Sequence, residues 1–525
     1  MSAEPATHVP PLDPAIARRL AEAVVAGPDA ERVVVRTPLT GAPLAELPLS
    51  TVDDVEQAVA RARVAQEIWA QRSVAHRAAV LLRVHDLVLE RQSAALDLIQ
   101  LESGKSRLHA FEEVADVAIN ARWYARRGPR LLADARRPGL VPVLTQVTQV
   151  HHPKGVVGVI SPWNYPLTLA VSDTLPALLA GNAVVVKPDR STVLTALWAA
   201  ELLTDAGLPD GLFQIVHGAG SLLGTALIQR CDHICFTGST ATGRLVAEQA
   251  GRRLIGVSLE LGGKNSLYVA DDADLDRAAE AAVRDCFASA GQLCVSIERL
   301  ILHERIADAF LDRFFDRVNR LRLGAGLDFS ADFGSLVSAD QLKQVGAHVD
   351  DAVAHGATVL AGGRPRPDIG PLFYEPTVLA GVTPAAVCYQ HETFGPVVSV
   401  YRVGSDGEAL TLANAGEYGL NGSVWTGDVG RGRRLARQVR AGTVAVNEAF
   451  IATWGSVAAP MGGHKDSGVG RRHGVEGLLR FTESQTIAVQ RGMGFGPLYS
   501  AGGERMAGAF TTALRLARRA HLPWP

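Results

Sequence analysis

Between residues 156 and 236 short apolar strands alternate with helices, and this alternation limits the fold more than any other feature. Residues 156–160 read as a strand, 174–180 as helix and 183–186 as a fully buried strand. Helix follows at 192–204, strand at 213–216, helix at 222–229 and strand at 233–236. Such a series predicts a doubly wound parallel sheet, class α/β. In sheets of that kind ligands bind beyond the carboxyl ends of the strands, so the residues that close each strand are the first place to look for chemistry.

The rest of the chain is organised around that series. Thr51 is suited to cap a long helix, with Asp53 and Asp54 in its first turn. Helical spacing continues over 75–100 and 107–127, and Gly128-Pro129 is expected to break it. Residues 140–152 and 484–491 alternate as strands. A second α/β series begins near residue 265, with helices over 274–288, 306–321 and 340–355 and strands over 299–302 and 397–401. Residues 1–50 read as a loose tail followed by a short β region that includes 32–35. At 525 residues, more than one domain is expected.

Bulk properties exclude several functions. A formal net charge of −2 gives no support for nucleic-acid binding. No run of about 18 apolar residues marks a membrane span, and the N-terminus lacks the apolar stretch of a signal peptide. Five cysteines, an odd and sparse set, argue against a disulfide framework and for a reducing, cytoplasmic setting. Cys231 and Cys235 lack a second ligand pair, so no metal site is expected. The basic tail at 501–525 reads as a surface or packing helix, with an amphipathic membrane-surface helix as the alternative.

The motifs sit where the sheet would present them. Lys187-Pro188-Asp189-Arg190 closes one strand. Lys187 is suited to ribose hydroxyls and Arg190 to a 2′-phosphate. Phe236-Thr237-Gly238-Ser239-Thr240 closes another strand and opens a helix, whose free N–H groups, with Ser239, suit a pyrophosphate. Gly218-Ala219-Gly220 with Gly224 has the wrong spacing for a dinucleotide fingerprint and reads as a tight turn. Asn164, fixed between Pro162 and Pro166, is a candidate oxyanion donor. Glu392 is suited to grip a ribose and Phe394 to line a nicotinamide. Cys294, after Gly291-Gln292-Leu293, lies 34 residues beyond Glu260. A thiol and a carboxylate on glycine-marked turns are what covalent aldehyde oxidation needs. A cysteine hydrolase working without nucleotide is the competing reading.

Together these blocks resemble the NAD(P)-dependent aldehyde dehydrogenase superfamily over about residues 30–487. The resemblance rests on Pro-Trp-Asn at 162–164, Lys-Pro at 187–188, Phe-Thr-Gly-Ser at 236–239 and Glu-Leu-Gly-Gly-Lys at 260–264. Gly-Gln-x-Cys at 291–294, Glu-Thr-Phe-Gly-Pro at 392–396 and the glycine-rich loop at 460–471 complete it. It implies Cys294 as nucleophile, Glu260 as general base, and Asn164 with the Cys294 N–H as oxyanion hole. It also implies cofactor contacts at Trp163, Lys187, Gly238, Ser239, Leu261 and Glu392.

The implied architecture is a Rossmann-type cofactor domain (1–139 and 153–258), an α/β catalytic domain (259–465), a small β oligomerisation arm (140–152 and 484–491) and a tail (492–525). Homodimers or homotetramers follow from the resemblance. Arg190 stands where NAD-preferring relatives often have Glu, which favours NADP, with NAD as the alternative cofactor. Whole stretches are most similar to the actinobacterial group called succinate-semialdehyde dehydrogenases, and Ser456 matches a substrate-loop serine. The two arginines that bind the substrate carboxylate in such enzymes are replaced here by Ala288 and Ser172. A broader range of aliphatic or aromatic aldehydes therefore competes with succinate semialdehyde.

Overall fold

A computed structural model describes residues 9–141, 144–492 and 502–521. Two parallel-sheet lobes face one another. The first has a six-stranded sheet in the order Gly468–Val469, Gly256–Glu260, His233–Thr237, Val156–Ile160, Ala183–Lys187, Phe213–Ile215. All pair in parallel except Gly468–Val469, which runs antiparallel to Gly256–Glu260. Strand order reverses around Val156–Ile160, which leaves a crevice between its end and that of His233–Thr237.

The second sheet has seven strands, ordered Thr358–Ala361, Thr377–Ala380, Val397–Val403, Ile297–His303, Asn265–Val269, Asn421–Trp425, Thr443–Val446. Each lobe has its own apolar core, since strands buried on both faces need helices on both sides. The link between the lobes is short: Glu260 ends a strand of the first sheet and Asn265 starts one of the second. The cofactor-domain boundary expected after residue 258 therefore falls inside a strand. After the second sheet the chain returns to the first lobe, where Leu478 and Phe481 join its core.

Local chemistry explains the helix starts. Thr51 Oγ1 accepts from the Asp54 N–H at 3.2 Å and Asp54 accepts from the Thr51 N–H at 2.8 Å, a reciprocal cap on Val52–Ala70. Pro129 does not break its helix, which runs Arg107–Leu131. Pro129 lies in the last turn, where it removes one N–H from the ladder, and the helix still closes with the Leu132 N–H donating to the Gly128 carbonyl at 2.9 Å. The expected tail hides a helix, Pro14–Ala21, capped by Asp13 with Pro at its first position.

A third, small sheet projects from the first lobe, ordered Thr482–Gln490, Thr145–Pro153, Ala135–Arg137. Its middle strand starts at Thr145 rather than 140, and Ala135–Arg137 was not foreseen. Thr482–Gln490 is an edge strand with most of its residues exposed. A final helix, Gly503–Arg519, lies on the surface with Ala517 as its buried residue. Residues 142–143, 493–501 and 522–525 of the expected arm and tail lie outside the described residues. No helix among the described residues is long and apolar enough to cross a membrane.

Candidate active site

The carboxyl edge of the first sheet meets the amino edge of the second. From the first come Pro162-Trp163-Asn164, Gly238-Ser239-Thr240 and Glu260, each just past its strand or ending it. From the second come Cys294, three residues before Ile297–His303, and Glu392 with Phe394, just before Val397–Val403. Between the edges lies a cavity of 410 Å³, lined by Trp163, Asn164, Gly238, Ser239, Thr240, Glu260, Leu261, Cys294, Glu392 and Phe394 among others. Trp163 and Phe394 meet edge to face at 5.4 Å on its wall.

The Cys294 turn is held in an unusual backbone. Ser289, Ala290 and Gly291 are successive residues in the left-handed region, at φ 51°, 59° and 68°. Strain of this kind persists only where neighbours impose it. Here Gln292 Nε2 donates to the Ser289 and Ser335 carbonyls at 3.1 and 3.3 Å, and its Oε1 accepts from the Val337 N–H at 3.0 Å. Asn265 Nδ2 donates to the carbonyls of Cys294 and Ser296, both at 2.8 Å. A Cβ on Gly263 would lie 2.7 Å from the Cys294 carbonyl oxygen, so only glycine allows this approach.

Asn164 is buried, and its Nδ2 donates to the Gln292 carbonyl at 3.0 Å. One amide hydrogen is thus used for position and the second is left for a ligand. The Asn164 backbone is fixed from behind. Lys105 Nζ donates to the Asn164 carbonyl and to Glu113 Oε1, both at 2.6 Å. Glu113 Oε2 accepts the Leu167 and Thr168 N–H groups at 2.8 and 3.1 Å. Lys105 also sits 3.6 Å over the Tyr165 ring.

Electrostatics separate the acids. Burial pushes the Glu260 carboxyl up to about 7, against the pull of Arg472 and Arg480. Glu260 Oε1 is buried without a hydrogen-bond partner among the described residues, open to a water or thiol proton. Arg472 Nη2 donates to Asp173 at 2.8 Å, and Arg480 donates to the same carboxylate. Burial would raise Asp173, but these two cations hold it at about 2. Burial, then Glu392 and Glu260, push the Cys294 thiol up to about 12, with Arg472 opposing. Glu392 is driven to about 8 by burial and then by Glu298. Its Oε1 accepts the Gly263 N–H at 3.0 Å. Glu298, paired with Lys264, accepts the Thr393 and Phe394 N–H groups at 3.0 Å and holds that loop.

The Lys187 block lies beside the main cavity, not in its wall. Lys187 and Pro188 are buried, Asp189 half-buried and Arg190 exposed. Lys187 Nζ has no hydrogen-bond partner among the described residues, and a Cβ on Gly220 would come within 3.6 Å of it. Asp189 Oδ1 accepts from Ser191 at N and Oγ, and Arg190 forms no ion pair among the described residues. The 218–224 turn therefore faces Lys187 across a gap, its residues Gly220–Gly224 wound as one π-helical turn. Ser239 Oγ caps the helix Thr240–Arg252 by accepting the Thr242 N–H at 3.3 Å. An amine and a guanidinium without partners among the described residues, beside a helix N-terminus, fit a phosphorylated dinucleotide. Ser456 is exposed, donates to the Ala452 carbonyl at 2.6 Å, and lines neither cavity at the site.

Sequence reasoning missed Lys105, Glu113, Asn265, Glu298, Asp173 and Arg472. Lys264 and Asn265 adjoin the Glu260 motif, but nothing in the sequence marks their partners.

Comparison with known proteins places this geometry in a class. The family model described as "Aldehyde dehydrogenase family" matches residues 25–487. The chain belongs to the aldehyde dehydrogenase family and is an oxidoreductase. It is 54% identical over 480 residues to a Mycolicibacterium smegmatis protein provisionally named a succinate-semialdehyde dehydrogenase (NADP+), covering 91% of this chain and 93% of that one. Among solved structures it is similar to a succinate-semialdehyde dehydrogenase from Burkholderia pseudomallei, with TM-score 0.85, 35% identity and coverage of 89% and 96%. It is also similar to a betaine aldehyde dehydrogenase from Staphylococcus aureus in complex with NAD+, with TM-score 0.86, 31% identity and coverage of 91% and 96%.

Proposed function

We propose that the protein oxidises an aldehyde to its carboxylic acid, with NADP+ as preferred cofactor and Cys294 as covalent nucleophile. The observation that carries this is the joint placement of Cys294, Glu260 and Asn164 on one cavity that is also lined by Gly238, Ser239 and Thr240 at a helix N-terminus. The Cys294 thiol gives its proton to Glu260, which passes it to solvent, and the sulfur adds to the carbonyl carbon, so that a C–S bond forms and the C=O π pair moves to oxygen. Asn164 Nδ2 and the Cys294 N–H stabilise the oxyanion. A bound nicotinamide would supply the hydride acceptor, and the product on Cys294 would then be a thioester. Glu260 then takes a proton from water, the hydroxide adds to the thioester carbon, the C–S bond breaks and the acid leaves.

Trp163, Leu261, Glu392 and Phe394 would hold the nicotinamide and its ribose. Gly238, Ser239 and Thr240 would hold the pyrophosphate. Lys187, Pro188 and Asp189 would frame the second ribose, and Arg190 its 2′-phosphate. The M. smegmatis relative carries an NADP+ name, which supports this order of preference. Formation of NADPH at 340 nm by the wild type, and its loss in Cys294→Ala with cofactor binding retained, tests the reading. Ester cleavage without any cofactor reduction would instead support a cysteine hydrolase.

Two substrate readings rest on different observations. The relative's name nominates succinate semialdehyde. Ala288 and Ser172, both buried and uncharged, favour uncharged aliphatic or aromatic aldehydes. We also propose a homodimer or homotetramer joined through the exposed edge Thr482–Gln490, since an unpaired edge invites a partner strand. Light scattering on the intact chain reads that directly. Five free cysteines suit a cytoplasmic setting.

A further inference from the structure

A second pocket, of 140 Å³, lies behind the Cys294 turn. Leu293 is part of its wall, and Cys294 and Trp454 both pack on the apolar cluster that includes Tyr165, Leu293 and Phe450. Its surface is almost wholly carbon, from Ile119, Tyr165, Leu293, Phe450, Ile451 and Trp454. Its two ionisable lining residues are both acids, Glu112 and Asp116.

Those acids have settled partners. Asp116 accepts from Ser172 Oγ at 2.6 Å, Trp454 Nε1 at 2.8 Å and Asn120 Nδ2 at 2.9 Å. Glu112 accepts the Tyr165 hydroxyl at 3.0 Å. No cation lines the pocket among the described residues. Lys105 is committed to Glu113 and the Asn164 carbonyl, and Arg284 to Glu448. A substrate carboxylate would lose its water, find no positive partner and face two acids. An apolar body would meet only matched surface, and an apolar cavity of about 150 Å³ is known to hold one benzene ring.

We propose that this pocket selects an uncharged aldehyde whose apolar body is about the size of one benzene ring, and that it rejects aldehydes bearing a carboxylate. The proposal rests on the covalent reading of Cys294 and decides between its two substrate readings. Ser172 does not line the pocket, and its hydroxyl is committed to Asp116.

The test is kcat/KM of the full-length protein with NADP+ for hexanal, benzaldehyde, pentanal and succinate semialdehyde. Pentanal, close in shape to succinate semialdehyde but uncharged, separates charge from length. All three uncharged aldehydes should exceed succinate semialdehyde by at least about tenfold, mostly through KM. Trp454→Ala should raise KM for hexanal and benzaldehyde. Glu112→Gln should raise the ratio of succinate semialdehyde to hexanal efficiency by about threefold. Succinate semialdehyde equal to or better than pentanal overturns the proposal and leaves the covalent reading standing. Inactivity toward every aldehyde, with NADP+ still bound, overturns the covalent reading and this proposal with it.

Discussion

The 410 Å³ cavity and the 140 Å³ pocket lie on either side of the Cys294 turn, yet they are drawn from the chain in different ways. The larger is made mostly of short motifs at strand ends, at 162–164, 237–241, 260–262 and 391–394, with Gln341 and Gln344 added from the helix Ala339–Ala354. The smaller takes single side chains from a helix face at 112–119, one ring at Tyr165, one leucine and a short helix at 450–454. Strand ends are fixed by the sheet and serve chemistry common to every substrate. Scattered side chains can change one at a time, which is how an enzyme class keeps one reaction and alters what it accepts.

Four substitutions would break or sharpen this contrast. Cys294→Ala should lower kcat by at least about a thousandfold and leave cofactor affinity within about twofold, because only the covalent step is lost. Isothermal titration with NADP+ beside steady-state rates checks both halves. Lys105→Met removes the cation from a fully buried pair and leaves Glu113 uncompensated. It should cost about 3–5 kcal/mol of stability in denaturant unfolding and also slow turnover, because the Asn164 carbonyl loses its donor.

Arg190→Glu should shift the NADP to NAD preference by about 1–2 powers of ten while kcat on the preferred cofactor stays similar. Equal selectivity before and after would detach Arg190 from the 2′-phosphate. The smallest effect is on pH dependence. Glu260 acts as a base only when ionised, so with its carboxyl at about 7 the hydrolytic rate should rise with pH through 7 and level off above. Arg472 opposes protonation of Glu260, so Arg472→Met should move that midpoint upward by about one unit. A downward or absent shift would remove Arg472 from the control of the base.

The sequence made one side of this contrast legible and hid the other. Alternating apolar strands placed the sheet, and glycine, proline and polar residues at their ends marked Asn164, Ser239 and Glu260. The buried charged residues behind them were hidden, because Lys105, Glu113 and Asp116 sit within or next to helical stretches where no motif marks them. Several of the contacts join residues far apart in sequence. Lys105 meets an atom 59 positions away and Asp173 meets Arg472 at 299 positions. Pro129 misled because a proline this close to a helix's end removes a single N–H and leaves the turns before it intact. The helix at Pro14–Ala21 was missed although Asp13-Pro14 carried a sound start signal.

Trapping of the acyl-enzyme tests the covalent account most directly. Glu260→Gln, mixed with NADP+ and hexanal, should give one rapid equivalent of NADPH per active site followed by slow turnover. Intact-mass analysis of the quenched protein should show a single hexanoyl adduct, mapped to Cys294 and absent from Cys294→Ala. Steady NADPH production without a burst, or an adduct on any other residue, would contradict the account.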